Sequence, residues 1–514
     1  MDHPAETPFP LPLIEAFRRD PGLPAFEYRG RAVPRHTVLD LVCRAVDALR
    51  AAGLGPGSPV ALATQVTPQG FAAQIAALLL GCRVTGLRPG LAPVQLRAVL
   101  PEMEAIVADT PSAGPELRAA AGAVPVLRLG PDVLDSVPPA GATPTTPDTL
   151  AAQGRPDDIG LIHLTSGSTG LPKGCALTYA ALTRHWSWQP AQWGPDTVRL
   201  AAGYRRFLLF GTLTSAVMFE HLALCLLDGG TAVIPDLPLE FPRAIERYRP
   251  TALLMTVPRL HHVLDTLREE PMDTGSLRVL LVAGSPLTPH RLAEARERFG
   301  PVVHQGYGQT ETGMLTLLTP RDLADSPGEL LDSVGRPWAG TELSVRDEHG
   351  HPVPTGGTGE VWARTPSAMS GYWRQEERTR EVLRDGWVRT RDLGHLDRHG
   401  FLRLTGRLRD VIIVNAVTHY AGPIEQALAG HPDVDQAYVV GAPDERTGEA
   451  AHAFVVPSGT RTPDLPALRR AVADALGPAA VPATLTVLSE VPVAAGGKPD
   501  KQALLALVPA RRAH

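Results

Sequence analysis

Short apolar segments of strand length alternate with helical segments through much of this 514-residue chain. Residues 38–54 have the spacing of an amphipathic helix that glycine and proline close, and residues 59–63 follow as a buried strand. A second helix is expected from about residue 68 to 80. Further apolar strand segments lie at 105–108, 231–234, 252–255 and 279–282. This alternation predicts an α/β fold with layers built on parallel sheets, because successive parallel strands need a crossover connection.

The composition is ordinary for a soluble globular protein: hydrophobic residues make up 44%, charged residues 20%, and the net charge is −5. Domains usually hold about 100–200 residues, so the chain should form two or more cores. The segment 111–156 is rich in proline, alanine, glycine and threonine and is expected to be loop or linker. The four cysteines are scattered without zinc or disulfide-framework spacing, which favours reduced, mostly buried thiols in a cytoplasmic protein.

Three partner classes are disfavoured by the sequence. The basic clusters, such as Arg205-Arg206, are too short to follow a nucleic-acid backbone. The N-terminus is acidic and no apolar segment follows it, so we expect no signal peptide. The longest apolar run, 72–80, contains Gln74 and is much shorter than the ~20 residues that span a bilayer, so membrane insertion is not expected.

A dense run of glycine, serine and threonine with one lysine occupies 164–174, as Leu164-Thr165-Ser166-Gly167-Ser168-Thr169-Gly170-Leu171-Pro172-Lys173-Gly174. Glycines allow positive φ and close backbone approach to an anion, and Lys173 adds a compact charge, so the run is typical of a polyphosphate loop. A Walker loop is excluded, because Lys173 follows proline and precedes glycine. Strand-like residues at 160–164 and helical composition at 177–188 place the loop between a strand and a helix.

Three more motifs follow in the second half of the chain. They are Gly306-Tyr307-Gly308-Gln309-Thr310-Glu311-Thr312-Gly313, Thr405-Gly406-Arg407-Leu408-Arg409-Asp410 and Gly496-Gly497-Lys498. Together and in this order, the four motifs resemble those of the adenylate-forming superfamily, which includes acyl- and aryl-CoA synthetases, adenylation domains of peptide synthetases, and luciferases. The resemblance extends from Leu13 to Lys498. It implies a large multi-subdomain N-terminal domain of layered sheets over 1–409 and a small, mobile α+β C-terminal domain over 410–514.

The resemblance implies an AMP-forming ligase that uses ATP and Mg²⁺. A carboxylate attacks the α-phosphorus of ATP, pyrophosphate leaves, and a mixed anhydride with AMP remains. Fixed cations, hydrogen-bond donors and a metal must stabilise the charge that develops. The residues that match the loop for the β- and γ-phosphates are Thr165, Ser166, Gly167, Ser168, Thr169, Gly170 and Lys173. In the second motif, Thr310 matches the α-phosphate contact, Glu311 the Mg²⁺ ligand and Tyr307 the residue that packs on adenine.

Three further positions match nucleotide-binding and catalytic residues of the superfamily. Asp392 matches the carboxylate that accepts both ribose hydroxyls, a role that suits a carboxylate. The superfamily usually has glycine where Arg391 stands, so bulk and charge are expected beside the ribose. Arg407 resembles the arginine that reaches ribose and phosphate. Lys498 matches the C-terminal lysine that bridges the attacking carboxylate and the α-phosphate.

The sequence constrains the acid more weakly. Amino-acid-activating members place an aspartate against the substrate ammonium near the segment that here reads Tyr204-Arg205-Arg206-Phe207-Leu208-Leu209-Phe210-Gly211-Thr212, which holds no carboxylate. An unpaired ammonium in an apolar site is costly, so we expect a neutral or additionally anionic acid rather than an α-amino acid. Arg205 and Arg206 are candidate partners for a second anion, with a surface position as the alternative. The aromatic residues just after the phosphate loop, His185, Trp186, Trp188 and Trp193, are more typical of core.

The second half-reaction is expected to transfer the acyl group to CoA or to the phosphopantetheine thiol of a carrier protein, after the small domain rotates about Asp410. Where the superfamily commonly has two glycines, this chain has Ala416 and Val417, whose side chains occupy space beside the expected CoA channel. Three alternatives remain: an amine acceptor, activation of a small oxyacid such as nitrite, and a nucleotide-binding regulator without turnover.

Overall fold

The structure, a computed structural model, describes residues 6–136, 143–166, 172–326, 328–408, 410–414, 417–444, 446–459, 462–494 and 498–508. Several residues assigned above fall outside these ranges: Gly167, Ser168, Thr169, Gly170, Arg409, Ala416, Gly496 and Gly497, together with the side chain of Ser166. The remaining site residues lie inside them.

The strands and helices are numbered in chain order. The strands are β1 (Pro24–Tyr28), β2 (Arg31–Pro34), β3 (Pro59–Ala63), β4 (Arg83–Gly86), β5 (Ala105–Ala108), β6 (Val126–Arg128), β7 (Ile159–Ser166), β8 (Pro172–Thr178), β9 (Arg206–Leu208), β10 (Thr231–Ile234), β11 (Ala252–Thr256), β12 (Val279–Ala283), β13 (Val303–Gln309), β14 (Gly313–Leu318), β15 (Arg336–Pro337), β16 (Glu342–Arg346), β17 (Gly359–Arg364), β18 (Gly371–Tyr372), β19 (Leu383–Arg384), β20 (Trp387–Leu396), β21 (Leu402–Arg407), β22 (Val411–Val414), β23 (Val417–Tyr420), β24 (Val434–Asp444), β25 (Gly448–Pro457) and β26 (Thr484–Val487). The helices are α1 (Leu11–Arg19), α2 (Arg35–Ala51), α3 (Pro68–Leu79), α4 (Pro93–Val99), α5 (Pro115–Ala121), α6 (Tyr179–Thr183), α7 (Pro195–Ala202), α8 (Ala216–Leu227), α9 (Arg243–Tyr248), α10 (Val257–Glu269), α11 (Pro289–Phe299), α12 (Pro320–Asp325), α13 (Glu376–Val382), α14 (Ala421–Ala429), α15 (Leu465–Leu476) and α16 (Lys501–Ala506).

Two large sheets form the body of the N-terminal domain. One has the strand order β15-β14-β13-β12-β11-β9-β10-β1-β2, and the other has the order β18-β8-β7-β4-β3-β5-β6. Their central neighbours pair in parallel, as in β11–β12 and β3–β4. Helices α3 and α8 are apolar around nearly their whole circumference, and both contribute to a hydrophobic core shared with the two sheets. The mixed α/β class expected from the sequence is confirmed.

Two smaller sheets complete the chain. The third contains β16, β17, β20, β19 and β21, and its antiparallel strands carry a separate small core. The fourth contains β23, β22, β25, β24 and β26, which pack with α14 and α15 around their own hydrophobic cluster. This last unit is the smaller C-terminal domain. Across the described ranges, no helix combines the length and apolar character needed to cross a bilayer.

The strands that local patterns predicted were located correctly, and the patterns failed in two other places. Strands β3, β5 and β10 have the bounds that their apolar runs predicted, while β11 and β12 each extend one residue further. The proposed linker at 111–156 was wrong, because α5 and β6 lie within it. The helix expected at 177–188 was also wrong at its start: the chain returns from the phosphate segment as strand β8, antiparallel to β7, and α6 begins only at Tyr179.

Candidate active site

The phosphate segment is held at its two ends by paired strands. Thr165 of β7 lies opposite Lys173 of β8, and the Thr165 hydroxyl donates to the Lys173 carbonyl at 3.4 Å. Lys173 is buried, and its Nζ lies 5.2 Å from the centre of the Tyr372 ring. A cation over an aromatic face is stabilised electrostatically. The strand pair therefore positions the backbone of the lysine that the sequence assigned to the phosphates, and Tyr372 positions its ammonium.

Tyr372 connects this lysine to the second motif. Its hydroxyl donates to Glu311 Oε1 at 2.7 Å, and the backbone amide of Met369 donates to the Glu311 carbonyl at 2.9 Å. Thr310 and Glu311 lie in the turn that joins β13 to β14. The Lys173 and Glu311 motifs are far apart in the chain, and in the fold both contact Tyr372. Tyr372 carries no motif signal of its own, so the sequence did not reveal it.

A buried carboxylate, Asp392, forms the centre of the second cluster. It accepts from the Tyr307 hydroxyl at 2.7 Å, from Gln309 Nε2 at 2.6 Å and from Arg407 Nε at 2.7 Å. Burial raises the pKa of Tyr307 well above its ordinary value, so its hydroxyl stays protonated and acts as a donor. Strands β13, β20 and β21 supply these groups. The structure brings together Tyr307, Asp392 and Arg407, and it adds Gln309, which lies in the second motif but received no role from the sequence.

Arg391 does not crowd this carboxylate, contrary to what its position in the sequence suggested. Alternate residues of β20 face opposite ways, and the Arg391 Nη2 donates to Glu381 Oε2 at 2.7 Å. Its φ is 60°, in the left-handed region that favours glycine. The requirement at this position is therefore for a backbone conformation, and the arginine side chain is directed away from Asp392.

Lys498 reaches the same place from the C-terminal domain. The residues on either side of it are paired: the Ala494 amide donates to the Lys498 carbonyl at 2.8 Å, and Val493 forms a β-bridge with Pro499. A methyl group placed on Gly284, just after β12, would lie 3.8 Å from Lys498 Cε. Lys498 keeps solvent contact, yet partial burial of its ammonium lowers its pKa. The charge of Arg407 adds to this lowering, and the carboxylates of Glu311 and Asp392 oppose it.

A buried pair that the sequence analysis missed lies against the start of β14. His185 Nε2 lies 2.9 Å from Glu220 Oε1, and both side chains are buried. A methyl group placed on Gly313 would lie 2.8 Å from Glu220 Oε1, so the carboxylate contacts the strand directly after Glu311 and Thr312. Glu220 lies in an apolar helix, α8, where one buried carboxylate interrupts the pattern. That interruption was the available signal.

The two arginines considered for a second anion are engaged elsewhere. Arg205 Nη2 lies 2.8 Å from Asp228 Oδ2, and Arg206 Nη1 lies 2.8 Å from Glu27 Oε2.

The aromatic residues after the phosphate loop are divided between two environments. Trp188 is buried against Phe9 and Phe219, as expected of core, whereas Trp186 is only partly buried and contacts His221 and Trp338.

The arrangement places three cations, Lys173, Arg407 and Lys498, around two carboxylates, Glu311 and Asp392. Glu311 suits Mg²⁺, which prefers oxygen ligands and is usually held by one or two carboxylates together with substrate phosphates. Such a set can bind a polyphosphate and stabilise negative charge that develops during attack at phosphorus.

Comparison with known proteins identifies the family of this chain. The family model described as AMP-binding enzyme matches residues 13–373, and the AMP-binding enzyme C-terminal domain matches 423–508. The medium/long-chain-fatty-acid–CoA ligase FadD8 of Mycobacterium tuberculosis is 34% identical over 396 residues, 74% of this chain and 68% of the relative. The fatty acid–[acyl-carrier-protein] ligase ScoC of Streptomyces coeruleorubidus is 30% identical over 512 residues, 94% of this chain and 92% of the relative. Among solved structures, the amide bond synthetase McbA from Marinactinospora thermotolerans is 34% identical with a TM-score of 0.80, covering 96% of this chain and 98% of that one.

Proposed function

This chain belongs to the AMP-binding enzyme family, and on that premise we propose that it activates a carboxylic acid with ATP as the acyl adenylate. A carboxylate oxygen forms a bond to the α-phosphorus, the bond from that phosphorus to the bridging oxygen breaks, and pyrophosphate leaves. The observation that carries the proposal is the position of Lys498. The small domain carries Lys498 to Gly284 of the large domain, where its ammonium lies within electrostatic range of Arg407, Glu311 and Asp392.

Each site residue has a distinct role in this proposal. Asp392 accepts the ribose hydroxyls, and Tyr307 packs on adenine. Lys173, with Thr165 and the loop residues 166–170, binds the outer phosphates, and Arg407 reaches ribose and phosphate. Thr310 contacts the α-phosphate, where Lys498 compensates the charge that grows as the acid attacks. Glu311 would hold Mg²⁺, which supplies Lewis-acid stabilisation of the phosphate oxygens.

The adenylation proposal is tested by pyrophosphate release over a panel of aryl, fatty, amino and inorganic acids. We expect release with a carboxylic acid other than an α-amino acid, and loss of release in Glu311→Gln. ATP binding without release for any acid would contradict the proposal and favour a regulator. Release with nitrite alone would favour oxyacid activation.

Two acceptors are supported for the second step. The names of FadD8 and ScoC support a thiol, either that of CoA or that of a carrier protein. The likeness to McbA over nearly the full length of both chains supports an amine, which would form an amide. In that step the amine nitrogen bonds to the acyl carbon, the bond to the AMP oxygen breaks, AMP leaves and the nitrogen loses a proton.

We favour acceptors that do not need the pantetheine channel, namely an amine or a carrier thiol that approaches by another route, over free CoA. Val417, at the start of β23, stands where the superfamily commonly has glycine, and 51% of its surface is exposed. A valine here occupies space that glycine would leave open, which would narrow a channel beside this strand. Chromatography of products formed with CoA, a carrier protein or amines distinguishes the acceptors, and a predominant acyl-CoA product would reject this preference.

A further inference from the structure

Three buried N–H groups lie together without an acceptor among the described residues. They are Trp186 Nε1, His221 Nε2 and Trp338 Nε1. The Trp186 ring centre lies 5.8 Å from that of His221 and 5.9 Å from that of Trp338, in edge-to-face contacts. His221 is wholly buried and Trp338 is 7% exposed. An unsatisfied buried donor destabilises a fold, and native proteins hold few of them, so three in contact call for an explanation.

The protonation state of His221 follows from its neighbour. The Tyr204 hydroxyl lies 2.7 Å from His221 Nδ1, and burial raises the pKa of Tyr204 well above its ordinary value, so the hydroxyl keeps its proton. Nδ1 is its one hydrogen-bond partner among the described residues, so the buried O–H is satisfied only by donating to Nδ1. Burial lowers the pKa of His221 to about 4, so the ring is neutral at pH 7. A neutral ring that accepts at Nδ1 carries its hydrogen on Nε2. All three groups are therefore donors.

Three glycines on or next to neighbouring strands lie between Lys498 and these donors. Gly284 lies against Lys498 Cε at the end of β12, Gly306 is on β13, and Gly313 begins β14. A methyl group on Gly306 would lie 3.9 Å from Ala283 Cβ and 3.6 Å from Met314 Sδ, so these residues are neighbours on one face. His185 and Glu220 lie against Gly313, and Trp186 directly follows His185 in the chain.

Trp338 lies in the same region. Its backbone amide donates to the Leu315 carbonyl of β14 at 2.9 Å, and its ring contacts that of Trp186, so the indole lies near the strand that begins at Gly313. An acid whose carboxylate lies at Lys498 and which extends past Gly306 and Met314 would therefore approach Trp186, His221 and Trp338.

We infer that the acid carries a flat ring system with a hydrogen-bond acceptor, such as a ring nitrogen or an ether or carbonyl oxygen, and that Trp186, His221 and Trp338 are specificity-determining residues that bind it. This inference rests on the proposed adenylation function. The indole and imidazole rings offer edges and faces to an aromatic ring. A saturated acyl chain would leave all three donors unpaired, and a site built to hydrogen-bond its substrate discriminates strongly against analogues that cannot do so. Glu220, paired with His185, adds negative charge nearby and disfavours a second carboxylate.

Matched pairs of acids test the inference. The probes are the isomeric quinolinecarboxylates and the naphthoates with the same attachment points, which have the same shape and differ by one ring nitrogen. We expect at least one quinolinecarboxylate to exceed its naphthoate about tenfold in kcat/KM for pyrophosphate release, the size of one hydrogen bond to a buried donor. Trp186→Phe and Trp338→Phe remove an N–H and keep an aromatic ring. At least one of them should reduce the ratio about threefold or more.

Trp362→Phe is the control, because this tryptophan belongs to the third sheet and its Nε1 already donates to Glu360. It should leave the ratio unchanged even if activity falls. Ratios near one for every isomer in the wild-type protein, or ratios unaffected in both variants, would overturn the inference. If no acid releases pyrophosphate, the adenylation proposal fails separately. Calorimetric binding of the same pairs without ATP then decides the inference, with the same tenfold preference expected and equal affinities overturning it.

Discussion

Arg291 of α11, in the large domain, donates through Nε to Asp435 of β24, in the C-terminal domain, and side-chain exposure is only 3% and 4% for the two residues. His290 Nε2 and His261 Nδ1 also approach this carboxylate, at 3.5 and 3.7 Å. Burial alone would raise the pKa of Asp435, but hydrogen bonds from His290 and Arg291 hold it well below its ordinary value. Burial lowers the pKa of His261 to about 4. In the same pose that places Lys498 beside Gly284 of the large domain, one carboxylate of the small domain thus contacts three basic side chains of the large domain.

Asp435→Asn should slow adenylation and spare the second half-reaction. The variant removes the partner that Arg291 meets across the domain boundary, although Arg291 keeps Asp265 and Glu294 at 2.9 Å. A hydrogen bond to a charged group contributes about 1.5–3 kcal/mol to the pose that contains it. We expect adenylation to fall at least about tenfold, while transfer from supplied acyl adenylate stays near the wild-type rate. Asp433→Asn is the matched control, because its side chain is 35% exposed and its ion pair, with His431 at 3.8 Å, stays within the small domain. Equal losses in both half-reactions would indicate a general stability role instead.

Lys498→Ala should abolish most adenylation while ATP still binds. The lysine meets charge that develops during attack, so its removal is expected to cost about 10²–10³-fold in rate, as for other preorganised donors. Pyrophosphate release measured beside ATP affinity checks this. A variant within about threefold of wild type would remove Lys498 from the mechanism.

The alkaline limb of adenylation should report the lowered pKa of Lys498. The lysine acts as a cation, and its pKa is below the ordinary 10.5, so it loses its charge at lower pH than a free lysine and activity should fall as pH rises through that pKa. Lys498→Arg, if active, should lose this limb, because arginine stays protonated to above about pH 12. A limb that is unchanged in the arginine variant would assign it to another group.

The hinge prediction concerns Asp410. Its amide donates to the Arg407 carbonyl at 3.1 Å, and its carboxylate accepts from Lys501 Nζ at 2.5 Å. Proline removes the amide hydrogen and restricts φ, so Asp410→Pro should block acyl transfer and preserve adenylation if it keeps the present pose. Asp410→Asn, which keeps the backbone free and weakens only the Lys501 contact, is the control. Normal transfer in the proline variant would reject Asp410 as the hinge and, with it, the proposed boundary at 409/410.

Free CoA should be a poor acceptor. Extra methyl groups in a close-packed channel cost about 1–3 kcal/mol, which corresponds to roughly five- to 150-fold in rate. Replacing both Ala416 and Val417 by glycine should therefore raise acyl-CoA formation within that range and leave pyrophosphate release unchanged. The product ratio of acyl-CoA to acyl-AMP is the measurement. Rapid, stoichiometric thioester formation by the wild-type protein would return it to the ordinary CoA-ligase class.

The sequence alone determined the fold class, the family and the approximate strands, because these are recorded in local patterns. The apolar run at 59–63 becomes β3 with the same bounds, and the order of four motifs identifies the superfamily. The return of the chain as β8 after the phosphate segment was missed, because an apolar stretch of this length fits helix and strand alike and only pairing with β7 decides.

Only the tertiary structure decided which side chains meet. Tyr372 joins Glu311 across 61 positions, His185 joins Glu220 across 35, and Arg291 joins Asp435 across 144. No local periodicity encodes such contacts, since they depend on how sheets and domains pack after each has formed. Arg391 illustrates the same limit on a smaller scale. Its identity suggested charge beside the ribose carboxylate, and the alternation of β20 together with a positive φ directs that charge to Glu381 instead.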